Sequence, residues 1–176
     1  MSNPKFKALV HFMIHECRDH PMRLGSVRLN KALWFADVFR YQATGESLSG
    51  EVYVKRQRGP VPQTILRTLE ELQRDGAIRI EEPDFQYAPR KFFSLTPPQT
   101  NHLSEEECEL AREVLKQILE YSAEEISEVT HDEVWRAAQE GEVIPLYATL
   151  ASGSGEMTDE IKKWANDCIK EIKQSA

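Results

Sequence analysis

Residues 26–44, SVRLNKALWFADVFRYQAT, constrain the fold more than any other stretch of the chain. Leu29, Ala32, Leu33, Ala36 and Ala43 recur at helical spacing on one side, and Trp34, Val38 and Tyr41 form a second stripe on nearly the opposite side. A surface helix needs one apolar face, so a helix with two is expected at the centre, with others packed around it. Ser26 is its expected N-cap. The small-residue run Thr44 to Gly50 breaks it, and Glu51 to Lys55 reads as a short strand with Val52 and Val54 on one face.

The elements on either side follow from similar signals. Asn3 and Pro4 open a first helix carrying Phe6, Leu9, Val10, Met13, Ile14 and Cys17, which stops near Asp19 to Pro21. Gly59-Pro60-Val61-Pro62 reads as a rigid turn leading into a third helix, Pro62 to Asp75, with Ile65, Leu66, Leu69 and Leu72 as its apolar set and Gly76 as its stop. Ala77 to Glu82 and Lys91 to Leu95 are two further strands, joined by a loop with Pro83 and Pro89. The expected fold class is α+β, mainly α: helices around a small three-stranded sheet, winged-helix-like in its N-terminal part, with a helical C-terminal half.

Thr96 to His102 is an internal linker marked by Pro97 and Pro98. Beyond it Ser104 with Glu107, Ser122 with Glu125, and Thr130 with Glu133 each have the spacing of a capping box, and Gly141 is expected to end the third of these helices. After a loose stretch at 151–156, Ile161, Trp164, Ala165, Cys168, Ile169 and Ile172 form a last amphipathic stripe. The expected organisation is residues 1–100 as a helix-and-sheet part, 101–150 as a helical part of the same domain, and 151–176 as a C-terminal loop and helix.

Charge is divided unevenly. Residues 1–100 hold 15 Lys and Arg against 11 Asp and Glu, whereas 101–176 hold 7 against 18. A mildly basic front and an acidic back give two different surfaces, and acidic helices are equally ordinary as solvated faces. No apolar run approaches a membrane span, the start of the chain lacks a signal-peptide pattern, and the expected location is the cytoplasm. Cys17, Cys108 and Cys168 lie far apart without metal spacing and read as reduced thiols, Cys17 and Cys168 as core packing.

The chemistry-bearing residues do not converge. No GxGxxG, P-loop or HExxH occurs, and the SGSGE stretch at 152–156 has no strand before it to make a nucleophile elbow. His11 and His15 have the spacing of two zinc ligands on a helix, yet Lys7 and Arg18 lie close and no third ligand is in view, so both read as surface residues. No catalytic residue, metal site or cofactor is expected. DNA binding is opposed by the long connection, Ala43 to Val61, before the third helix, and by Arg67 and Arg74 facing Glu70, Glu71 and Asp75. Arg56, Arg58, Arg79, Arg90 and Lys91 would nevertheless form a basic strip on the expected sheet.

Two placements stand out. Lys31 lies on a helix apolar on most sides, where it either snorkels to solvent along its stem or reaches a carboxylate or carbonyl of another chain. Arg56, Gln57 and Arg58 sit between Tyr53 and a proline-restricted segment, which is either a purely structural turn or a preset loop of the kind that anchors a partner.

Leu29, Asn30, Lys31, Leu33, Trp34, Phe35, Ala36 and Asp37, then Tyr41, Thr44 and Gly45, then Gly50, Tyr53, Lys55 and Gly59 to Pro62 appear in an order that resembles the Panacea domain, the SocA-like antitoxin domain of bacterial and phage toxin-antitoxin systems. The resemblance continues through the acidic start at 103–107, SAEEISEVTH at 122–131 and Trp135, and covers roughly Val27 to Leu150. Trp34 stands where tyrosine is more usual, no clear proline precedes Trp135, and the chain after Leu150 lies outside it. The resemblance implies a non-catalytic antitoxin that neutralises a cognate protein toxin by direct binding, with a cellular protease as a further partner where the toxin is delivered for degradation. The alternative is a winged-helix-like transcriptional regulator, against an expectation of weak or no specific DNA binding and no membrane association. Lys31, Tyr53, Arg56 and Arg58 are the expected partner contacts. Leu29, Asn30, Trp34, Phe35, Asp37, Gly59, Pro60, Val61, Pro62, His131 and Trp135 are expected to be structural. For His131 the two readings are helix capping with packing of the Trp135 indole, and contact with a partner.

Overall fold

The computed structural model of the chain describes residues 2–83 and 88–150. The expected loop and helix within 151–176, Cys168 included, lie outside the described residues. Helix α1 spans Pro4–Glu16, with the Asn3 side chain accepting from the Lys5 amide and Pro4 in the first turn. Its whole apolar stripe, Phe6 to Cys17, is buried.

Helix α2, Gly25–Thr44, is the centre. It starts at Gly25, so Ser26 is not its cap. Unbroken burial from Lys31 to Phe39 matches the two-sided pattern, and α1, two of the strands and two of the later α-helices pack on it.

The strands differ from expectation. β1 (Tyr53–Arg56) pairs antiparallel with β2 (Gly59–Pro62), and β3 (Ile78–Glu81) pairs antiparallel with β4 (Lys91–Ser94), as two separate two-stranded sheets. The three-stranded, winged-helix-like sheet is therefore not formed among the described residues. The Gly-Pro-Val-Pro segment, expected as a turn, is the strand that replaces it. Gln63 donates its amide to Val52 O at 2.8 Å. By the two-residue period of an antiparallel ladder, positions 59, 61 and 63 turn their N–H groups toward β1, and Pro60 and Pro62 fall on the outward side, where no N–H is needed. The prolines thus close the edge to further pairing.

The other edge of β1 is covered from far along the chain. Gly141 donates to Lys55 O, Lys55 to Glu142 O and Ile144 to Tyr53 O, at 2.8 to 3.0 Å, with Val54 opposite Val143. This placement explains a second difference: Val54 is 4% exposed between its neighbours, whereas Val52, ahead of the strand, is 46% exposed.

Helix α3, Ile65–Arg74, starts after the hairpin rather than at Pro62, buries Ile65, Leu69 and Leu72, and leaves Leu66 exposed. α4 (Glu105–Ile118) and α5 (Ala123–Val129) open with the expected capping boxes at Ser104/Glu107 and Ser122/Glu125. The third box is absent. Thr130 ends α5, and Asp132 caps the short α6 (Glu133–Ala137) by accepting from the Trp135 amide at 2.8 Å, so α6 stops well before Gly141.

Candidate functional site

Where β1 turns into β2, Arg56, Gln57 and Arg58 stand at the surface, and the tip they form with the buried Gly59 is held from below by side chains of two helices. The first is Lys31 of α2. It is 2% exposed, and its ammonium donates to the Arg58 carbonyl and, at 2.6 Å, to Thr130 Oγ1 at the end of α5. Thr130 in turn donates to Ser127 O at 2.9 Å. No carboxylate pairs with Lys31 among the described residues, and burial pushes its pKa down to about 7. Of the two readings of this lysine, solvent snorkelling is ruled out by its burial, and its acceptors belong to its own chain.

Gly59 is the counterpart of that contact. Its φ of 110° is open to glycine and strained for other residues, and a Cβ there would run into Lys31 Nζ and Thr130 Oγ1. The second fastener is Trp135 of α6, whose Nε1 donates to Arg56 O at 3.1 Å. The indole is stacked on His131 at 3.8 Å between ring centroids and 14° between planes, and Lys55 Nζ lies 4.2 Å from the Trp135 ring centroid while donating to Ala138 O. Burial lowers the His131 pKa. His131 Nε2 and Asn30 Oδ1 are buried without a hydrogen-bond partner among the described residues.

Beneath the hairpin, Asp37 is fully buried and accepts from the Ser49 amide at 2.6 Å, from the Ser49 hydroxyl, and from Tyr53 Oη at 2.6 Å. Burial raises the Asp37 pKa against these donors, and raises that of Tyr53 well above the ordinary phenol range. Tyr53 also meets Trp34 edge-on, 4.9 Å between centroids. This set ties the break after α2 to β1.

The four expected partner contacts therefore lie in two layers. Lys31 and Tyr53 are enclosed, while Arg56 and Arg58 are exposed. Arg56 lies 3.5 Å from Glu140, and Arg58 makes no ion pair among the described residues. Arg58 borders a shallow depression shared with Gln57, Ser127, Glu128 and His131. Leu29, Trp34, Phe35, Asp37, Gly59, Pro60 and Pro62 are buried, and Asn30, Val61, His131 and Trp135 are half-buried. Thr130 and Ser49 complete the two polar sets. Thr130 ends α5 instead of starting a helix, and no local sequence pattern marks Ser49.

Two other sequence expectations change. Arg79, Arg90 and Lys91 lie on the β3–β4 hairpin, where they pair with Glu81 and Glu82, so the expected basic strip is divided. His11 is buried rather than on the surface: its Nε2 lies 3.1 Å from Thr96 O, and His15 Nδ1 lies 2.9 Å from Ser94 Oγ, which fastens the end of β4 to α1. Cys17 is buried as expected, and burial pushes its thiol up to about 11. Among the described residues no group of three His, Cys, Asp or Glu is placed to hold a metal ion, and no helix is long and apolar enough to cross a membrane.

The Lys31 environment has a measurable consequence. With a folded pKa near 7 and an unfolded one near 10.5, both states are protonated below pH 7, and above it the folded state alone sheds the proton. Stability should therefore rise with pH from about 7 upward, by at most about 1.4 kcal/mol per pH unit. Chemical denaturation between pH 7 and 8.5 should show this slope in the natural chain and lose it in Lys31→Met. Equal slopes in both would mean that the lysine stays charged in the fold.

The family described as antitoxin SocA-like, Panacea domain, matches residues 29–136. The chain belongs to that family. No curated protein matches it, and no solved structure does. The matched span begins on α2, takes in the hairpin and ends one residue after Trp135, so it includes every side chain that fastens the tip.

Proposed function

We propose that the chain is a non-catalytic antitoxin that neutralises a cognate protein toxin by binding it directly through the β1–β2 tip. The observation that supports this most is Arg58, an exposed arginine without an ion pair among the described residues, on a tip whose backbone is fixed from within the protein. Arginine is favoured as an interface anchor because its planar fork makes several directed hydrogen bonds, and a preset backbone reduces the entropy lost on binding. Arg56 stands beside it, with only a surface pair to Glu140 that contributes little to folding. A regulator that reads DNA would draw on Arg79 of β3 and Arg90 just before β4, and the neighbouring Glu81 and Glu82 make the charge there mixed rather than basic.

The test is co-expression with the toxin encoded beside this gene. Arg56→Ala with Arg58→Ala should leave the melting temperature within a degree or two, weaken toxin binding by about 2 kcal/mol, roughly 30-fold, and fail to rescue growth. Rescue by the double variant with unchanged affinity would remove the tip from the interface. Delivery to a protease is tested in the same cells: toxin levels that fall only when antitoxin is present indicate degradation, and steady levels of silent toxin indicate blocking.

A further inference from the structure

We infer that Lys31 and Trp135 form a two-point clamp that presets Arg56 and Arg58 for binding, with Lys31 acting as a positioning residue that never touches the partner; the functional part of this inference rests on the toxin-facing reading of the tip. The clamp is visible in the backbone bonds. The carbonyl of Arg58 accepts from Lys31 Nζ, and the carbonyl of Arg56 accepts from Trp135 Nε1. Each exposed arginine thus has its own peptide oxygen held by a side chain from a different helix, α2 for one and α6 for the other.

Lys31 is an expensive choice for a core position. An ammonium removed from water is unfavourable unless its donors are satisfied, and a methionine of similar shape would pack without that cost. Burial alone gives no reason for a lysine here, and neither does a salt bridge, because none is present among the described residues. What lysine supplies and methionine does not is donors that reach a carbonyl on the hairpin and a hydroxyl at the end of α5 together. Gly59 fits the same purpose, since it leaves the space that Lys31 Nζ and Thr130 Oγ1 occupy. Thr130 passes the connection to α5 through Ser127 O, next to the depression that Arg58 borders.

The experiment compares Lys31→Met with the natural chain by amide hydrogen exchange and by affinity for the toxin encoded beside the gene. Exchange at residues 57–59 should become at least tenfold faster, with α1 and α3 unchanged, because Lys31 bonds only the tip and the end of α5. Toxin affinity should fall about tenfold in the natural background and by less than twofold when Arg58→Ala is already present, since a positioning residue acts through the group it positions. A merely structural lysine would weaken both backgrounds alike, and that result overturns the inference. Unchanged exchange at the tip overturns the clamp itself, whatever the toxin does. If Arg58→Ala alone costs no affinity while exchange responds as expected, the toxin-facing reading is wrong and the functional half of the inference falls with it. Trp135→Phe, which keeps an aromatic ring, though a smaller one, and removes the Nε1 donor, should loosen the Arg56 side of the tip. It provides the same comparison if Lys31→Met does not fold.

Discussion

Gly59→Val is expected to lower the unfolding free energy by about 5 kcal/mol, a loss large enough to leave much of the protein unfolded at physiological temperature. Two separate effects add. A branched side chain at a φ of 110° adopts a backbone region that is nearly closed to it, at a cost of about 1–3 kcal/mol. Its Cβ would also displace Lys31 Nζ and Thr130 Oγ1, so the buried ammonium loses two hydrogen bonds, each contributing about 1.5–3 kcal/mol when one partner is charged. Gly59→Val combined with Lys31→Met should therefore be less damaging than the sum of the two, because the methionine needs no acceptor. Strict additivity in urea denaturation would show that the glycine acts through its backbone alone.

Asp37→Ala is expected to cost about 4 kcal/mol. The carboxylate is enclosed, and three donors from Ser49 and Tyr53 end on it. Removing it leaves each donor buried without a partner, at about 1–3 kcal/mol apiece before relaxation, and opens a small cavity. Asp37→Asn keeps one acceptor oxygen and should cost about half as much. Tyr53→Phe removes only one donor, leaves both Ser49 contacts in place, and should cost about 1 kcal/mol. An Asp37→Ala protein that melts within two degrees of the natural one would mean that the Ser49 segment finds other acceptors.

These sites also show where the sequence was readable. α1, α2 and α3 could be placed from apolar spacing because helical contacts repeat every three or four residues within one segment. The capping boxes at Ser104 and Ser122 are local for the same reason. The Gly-Pro-Val-Pro segment misled because proline signals a turn unless its neighbours on both sides are known. Here the prolines alternate with the bonding positions of an edge strand. The cover on β1 from residues 141–144 is separated from it by about half of the chain, and no local pattern announces such pairing. Lys31 was conspicuous in sequence as a charge on an apolar helix, but its acceptors are a backbone carbonyl and a threonine hydroxyl, which carry no sequence signal of their own. His11 was assigned to the surface because it lies off the main stripe of α1, and β4 with the linker behind it covers that side. The family could be named from the order of its motifs, and the match over residues 29–136 supports that reading.

The most direct measurement is a hydrogen-exchange footprint of the chain bound to the proposed toxin, compared with the chain alone. The account predicts slowed exchange at residues 56–59 and along 124–131, with the β3–β4 hairpin and α3 unchanged. Protection confined to α3 or to residues 78–94, with the tip exchanging as freely as before, would contradict it.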